Sequence, residues 1–270
     1  MTTANFMGWD NPGVALITGA SSGIGAEFAK QLAAQGFDLI LIARRRELLD
    51  RQASTLRSQY GIDTEVIAAD LSRRSEVELV ARRISTIDGL DILINNAGFC
   101  RMNPFAEADL QSQLDMIEVH NAAPTILTRH ALPGMLRRNR GVIIFTASLA
   151  AFLPTPHVAL YTPTKSFLVG LAEVLKLELL GTDIRVQALA PGFTHTEFHD
   201  APDLQKIKSS LPKFLFGSVT AVVKESLRGA QRRKVVVIPG RMNRLIVQLM
   251  PKRMMARDRK KNRRVEPVKQ

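Results

Sequence analysis

Seven short apolar runs recur along this 270-residue chain with helix-length segments between them, and that alternation narrows the fold most. The runs cover residues 14–18, 39–43, 65–69, 92–95, 142–146, 184–190 and 234–238. Helical patterns lie near 24–35, 45–59, 74–86, 107–138, 159–180 and 218–230. A strand with one wet face alternates apolar and polar residues, whereas a strand covered on both faces reads as a continuous apolar run. These runs are of the second kind. Alternation of this type builds a parallel sheet through right-handed crossovers, with helices on both faces. The expectation is an α/β fold, a doubly wound seven-stranded parallel sheet. Residues 1–240 form it as one domain, and 241–270 add a basic, partly amphipathic extension.

Composition removes several function classes. The apolar fraction of 46% suits a globular chain and excludes a largely disordered one. Cys100 is the single cysteine, so no internal disulfide and no cysteine zinc cluster can form. A reducing, cytoplasmic setting is expected. The first thirteen residues lack a basic leader and an apolar core, unlike a secretory signal. No run of about 18 uncharged apolar residues is present, so no transmembrane helix is expected. The net charge is +12, and residues 251–270 carry nine Lys/Arg against Asp258 and Glu266. That tail therefore holds seven of the twelve surplus charges.

The segment Thr18-Gly19-Ala20-Ser21-Ser22-Gly23-Ile24-Gly25 follows the first apolar run and opens the first helical pattern. Glycines there let the backbone turn sharply and approach a pyrophosphate seated at the positive helix N-terminus, as in Rossmann folds. The plainer reading is a strand-to-helix turn capped by Ser21 or Ser22. The second run ends Ala43-Arg44-Arg45-Arg46, with no acid before Glu47. An acid would hold the ribose 2′-hydroxyl of NAD, while guanidinium groups suit a 2′-phosphate. NADP (NADPH) is therefore expected over NAD, with Arg44 the first candidate contact and Arg45 the second. Solvated arginines opening the next helix are the alternative. Asp70 and Leu71 follow the third run, where the carboxylate can accept from the adenine amino group or cap the next helix through Asp70 or Ser72.

Further along, Tyr161-Thr-Pro-Thr-Lys165 sets a phenol and an ammonium one helical turn apart. A free phenol titrates near 10 and is a poor acid or base at neutral pH. A neighbouring cation favours the phenolate and brings it toward the working range. With the phosphate-binding turn, an activated tyrosine points to hydride transfer to or from a carbonyl. Pro163 is tolerated only in a first helical turn, so the helix should begin close to Tyr161.

These residues, with Asn95-Asn-Ala-Gly98, Asn121, Ser148 and Pro191-Gly192, follow one another in an order that resembles the short-chain dehydrogenase/reductase family across roughly residues 12–240. The resemblance implies a seven-stranded Rossmann sheet, NAD(P) binding and reversible oxidation of an alcohol to a ketone or aldehyde. It makes Tyr161 the general acid in reduction and the base in oxidation. Lys165 would hold the nicotinamide ribose and lower the tyrosine pKa. Ser148 would hydrogen-bond the substrate oxygen, and Asn121 would anchor a water linking Lys165 to solvent. Asn96, Ala97 and Gly98 would line the cofactor side, Pro191 and Gly192 would border the nicotinamide, and Thr194 would bond its carboxamide. Read singly, Ser148 could be a turn residue and Asn121 a polar group that bends a helix.

The histidines offer no ligand cluster, so no metal is expected. His157 and His195 are candidate substrate contacts, and His120 and His130 are expected to face other helices or solvent. Residues 193–217 correspond to the family's substrate lid and are rich in Phe, Leu and Ile, including Phe193, Phe198, Phe214 and Phe216. They point to an apolar substrate, fatty acyl or steroid-like, with Phe99, Phe152 and Leu153 as the opposite wall, or else to a lid packed on the domain. The segment Met242–Met250 is expected to dock on the domain or on a partner subunit, with peripheral contact on a membrane surface as the alternative. Charge alone favours nucleic acid, which is not expected. A homo-oligomer through the helices near 107–138 and 159–180 is implied by the resemblance. The rival functions are a non-catalytic NADP-binding sensor and a membrane-surface scaffold.

Overall fold

The computed structural model describes residues 6–194 and 216–249. Its sheet has seven parallel strands: β1 (Val14–Thr18), β2 (Asp38–Ala43), β3 (Thr64–Ala68), β4 (Leu90–Asn95), β5 (Gly141–Thr146), β6 (Ile184–Leu189) and β7 (Val236–Val237). They lie in the order β3-β2-β1-β4-β5-β6-β7. Between them run α1 (Gly23–Ala33), α2 (Arg46–Tyr60), α3 (Arg74–Ser85), α4 (Leu110–Ile117), α5 (Ala123–Arg138), α6 (Tyr161–Glu178) and α7 (Val219–Gln231), and α8 (Arg241–Leu249) follows.

Successive strand residues point to opposite faces, and the core divides accordingly. Leu16, Leu93 and Ile143 pack on one side, while Ile17, Ile94 and Ile144 pack on the other with Phe28 and Phe37. β1 pairs β2 on one edge and β4 on the other, so the strand order reverses there. In open α/β sheets ligands bind beyond the carboxyl ends of the strands at such a switch point.

Two expected elements come out differently. The helix expected over 107–138 is interrupted by a π-helical turn at Glu118–Ala122. Pro124 has no N–H to give the carbonyl four residues earlier, so a regular α ladder cannot run through this point. The seventh strand, expected over 234–238, shrinks to Val236–Val237. Lys234 N–H closes the end of α7 by donating to Gly229 O at 2.9 Å, and so does not join the ladder.

Residues 195–215, expected to form a lid and including His195, His199, Phe198 and Phe214, lie outside the described residues, as do 250–270 with the basic tail. No described helix is long and apolar enough to cross a membrane.

Candidate active site

The turn between β1 and α1 is built for close approach. Gly19 sits at φ +64°, where a side chain would also press on Ala97 and Asn96. A Cβ at Gly25 would collide with the Gly19 carbonyl oxygen. Thr18 ties this turn to the end of β4: its hydroxyl accepts from Asn96 N at 2.9 Å and Ala97 N at 3.0 Å and donates to Ile94 O at 3.3 Å. A crevice of about 630 Å³ opens here and runs to Ser148 and Tyr161. Gly19, Ser21, Ser22, Gly23, Ile24, Arg44, Arg45, Asp70, Leu71, Asn96, Ala97, Gly98, Ser148, Tyr161, Lys165, Pro191, Gly192 and Thr194 all line it. Thr18, Gly25 and Asn121 do not. The first two shape the turn from behind.

Ser22 is the residue preceding α1, but its hydroxyl makes no capping bond. Instead Arg45 Nη2 donates to Ser21 Oγ at 3.2 Å and to Ser22 Oγ at 3.1 Å. Arg45 thus reaches across the glycine turn, while Arg44 lies close enough to Asp70 to act on its charge. The α3 cap is Arg73, so Asp70 caps no helix. Its carboxylate accepts from Ser72 N at 3.0 Å and Ser72 Oγ at 2.9 Å. Burial pushes Asp70 upward, but these bonds and the Arg44 and Arg73 charges outweigh it and hold the carboxyl below 3.8. The long crevice, the side-chain-free turn and the two guanidinium groups at one end fit a dinucleotide.

At the other end Ser148 follows β5, accepts from Ala150 N at 3.2 Å and hydrogen-bonds the Tyr161 hydroxyl. Tyr161 is the first residue of α6, which places Pro163 in the first turn, where its missing N–H costs nothing. Lys165 Nζ lies 5.7 Å from the Tyr161 ring centroid and donates to Thr146 O at 2.8 Å. Lys165 is not among the groups that set the Tyr161 pKa in this structure. Burial pushes Tyr161 above 10, Ser148 offsets this only partly, and Cys100 adds to the rise. Burial also lowers Lys165 from 10.5 to about 7, so its ammonium is only partly populated at neutral pH. Asn121 Nδ2 donates to Thr164 O at 3.0 Å, bracing the helix that carries both residues.

His120 faces another helix, α6, as expected, and is buried there rather than exposed to solvent. It is 1% exposed, and its ring packs edge-on against Tyr161 at 5.8 Å between centroids. Phe99 N–H donates to Nε2 at 3.1 Å, which leaves Nδ1 to carry the proton and donate to Thr164 Oγ1 at 2.9 Å. Thr164 Oγ1 in turn donates to Tyr161 O at 2.8 Å. The chain of bonds joins the loop after β4 to the first turn of α6. The available signal was that His120 adjoins Asn121 and that the helix breaks there. Burial, then the Lys165 charge, pushes His120 well below 6.5. A depressed pKa contributes stability above the unfolded value that is lost as pH falls through 6.5 toward the folded value. His120→Leu should therefore flatten the acid limb of a thermal-unfolding profile. It should also cost about 1–3 kcal/mol near neutrality by orphaning the Phe99 N–H. An unchanged acid limb would contradict the buried neutral assignment.

The end of the crevice beside Tyr161 is largely apolar: Phe99, Cys100, Met102, Leu149, Leu153, Val158 and Phe193 line it. Phe152, expected beside them, packs into the core instead. His157 is exposed and lines no part of the crevice. Among the described residues no group of three or more His, Cys, Asp and Glu could hold a metal.

A model of the short chain dehydrogenase family matches residues 13–206. The chain belongs to that family. A very-long-chain 3-oxoacyl-CoA reductase of Phaeosphaeria nodorum is 40% identical over 181 residues, 65% of this chain and 53% of the relative. The human inactive hydroxysteroid dehydrogenase-like protein 1 is 33% identical over 184 residues, 67% of this chain and 56% of the relative. The chain thus spans little more than half the length of these relatives. A solved short-chain dehydrogenase from Sphingobium yanoikuyae in complex with NADPH aligns with a TM-score of 0.80 and 32% identity, covering 96% of each chain. Membership explains why the lining residues converge: in this family member the dinucleotide-sized crevice and the Ser148–Tyr161–Lys165 group share one sheet edge.

Proposed function

We propose that the chain is an NADP-dependent reductase of ketones or aldehydes on apolar, lipid-like substrates. The observation that carries the reading is the hydrogen-bonded Ser148–Tyr161 pair at the far end of the crevice from Arg44 and Arg45. When bound, the cofactor supplies a hydride to the carbonyl carbon. Tyr161 gives its proton to the oxygen as negative charge develops there, and Ser148 donates a hydrogen bond to the same oxygen. A phenol held protonated is the form that reduction requires, so the raised Tyr161 pKa favours that direction. Lys165 holds the nicotinamide ribose, and Pro191, Gly192 and Thr194 border the nicotinamide. The name of the Phaeosphaeria relative supports a fatty acyl substrate, as do the apolar walls. Exposed Phe167, Val174 and Leu177 along α6 support association of copies through that helix. The name of the human relative favours a second reading, a nucleotide sensor without turnover. Retention of Ser148, Tyr161 and Lys165 speaks against it.

The test is NADPH and NADH oxidation over a series of ketones of increasing chain length. Turnover should rise with chain length and prefer NADPH. In the same assay Arg44→Ala combined with Arg45→Ala should weaken NADPH by roughly 1.5–3 kcal/mol, the worth of hydrogen bonds to a charged group. NADH should be little affected. Equal losses for both cofactors would refute the 2′-phosphate contact.

A further inference from the structure

We propose that α8 lies on an anionic lipid surface and holds the substrate end of the crevice against it. Met242, Leu245 and Leu249 recur at three- and four-residue spacing along this helix, which puts them on one stripe. They are 55%, 46% and 68% exposed. The helix is not loose. Asn243 lies over Gly192 and donates to Pro239 O at 2.7 Å. Arg244 pairs with Glu225 at 3.0 Å and donates to Ile238 O at 2.9 Å. One face is therefore anchored to the domain while the apolar stripe faces outward, where a solvent-facing helix would carry polar residues.

Charge selects the occupant. Residues 241–270 hold eleven Lys/Arg against two acids, nine of the net +12. Beside α8, a cleft of about 390 Å³ is lined by Arg228, Arg232, Lys234 and Arg244, with Glu225 as its one carboxylate. Basic residues are attracted to an anionic leaflet, and an apolar stripe among them inserts into the headgroup boundary. A second copy of this chain would bring the same positive surface and be repelled. A nucleic acid would match the charge but leave the stripe uncovered. The position matters for the reaction, because α8 packs on the turn Leu149–Phe152 just after Ser148. An apolar substrate would then enter from the bilayer; that consequence rests on the reductase reading, whereas vesicle binding does not.

The experiment is sedimentation of the full chain with phosphatidylcholine vesicles, with and without phosphatidylserine, beside a Leu245→Ser/Leu249→Ser variant of unchanged charge. Circular dichroism and NADPH affinity, expected unaltered, show that the variant folds. Binding should require phosphatidylserine and fall about tenfold or more in the variant, because two leucines are no longer buried. Absence of binding would overturn the proposal. So would binding that the variant leaves unchanged, which is adsorption by charge alone. A variant that turns a dimer into a monomer at unchanged vesicle affinity would assign the stripe to a second copy and overturn it too.

Discussion

Replacing Tyr161 by Phe is expected to cut carbonyl turnover by roughly 10²–10⁴-fold, the usual worth of a positioned proton donor. The substitution removes one oxygen and keeps the ring, so the edge-on contact with His120 at 5.8 Å survives. Folding and NADPH affinity should stay close to the parent, because the lost hydrogen bond is the one to Ser148. The parent's phenol titrates above its ordinary value, so above pH 10 the unfolded chain ionises while the folded phenol stays neutral, and native stability falls. A raised pKa contributes stability that is present below the unfolded value and lost as pH rises past it. The Phe protein should lack that alkaline loss. Turnover within a few-fold of the parent would remove Tyr161 from the proton-transfer role.

The second large effect is expected at Lys165. Lys165→Met should abolish most turnover, since it removes the group proposed to hold the ribose. Without cofactor it should move stability in a pH-dependent way. Burial depresses the parent lysine to about 7 from 10.5. Its stabilising contribution is therefore complete above 10.5 and is lost as pH falls from there toward 7. At pH 7 the unfolded chain takes up a proton that the folded chain holds only in part, which penalises the parent. Met has no such penalty, but it orphans the Thr146 carbonyl that Lys165 now satisfies at 2.8 Å. These two effects oppose, so the trend is more diagnostic than the size. The stability of the variant relative to the parent should be greatest near pH 7 and should shrink as pH rises to 10. A difference independent of pH would mean that Lys165 is charged and solvated in the cofactor-free protein.

Local signals account for what the sequence made legible. β1 begins and ends where the apolar run at 14–18 does, and the glycine turn and Tyr161 sit at the strand-to-helix turn and helix start that their chemistry requires. Those features depend on neighbours in the chain. What the sequence did not show depends on packing between distant segments. Thr18 belongs to a phosphate-binding motif, yet its hydroxyl is occupied by the end of β4. Lys165 was expected to act on Tyr161, but its ammonium is drawn to a carbonyl on β5 in a dry site where burial outweighs the ion–phenol attraction. His120 reads as an ordinary polar residue on a helix until the π-helical turn brings it under Phe99. Asn243 over Gly192 joins two segments that no pattern links.

The most direct measurement of the central claim uses NADPH carrying deuterium at C4 of the nicotinamide and a long-chain apolar ketone, with the alcohol product read by mass spectrometry. One deuterium is expected at the carbinol carbon, delivered from only one of the two C4 positions. Bound NADPH with no labelled alcohol from any ketone in the series would contradict it and leave a nucleotide-binding protein without reductase chemistry.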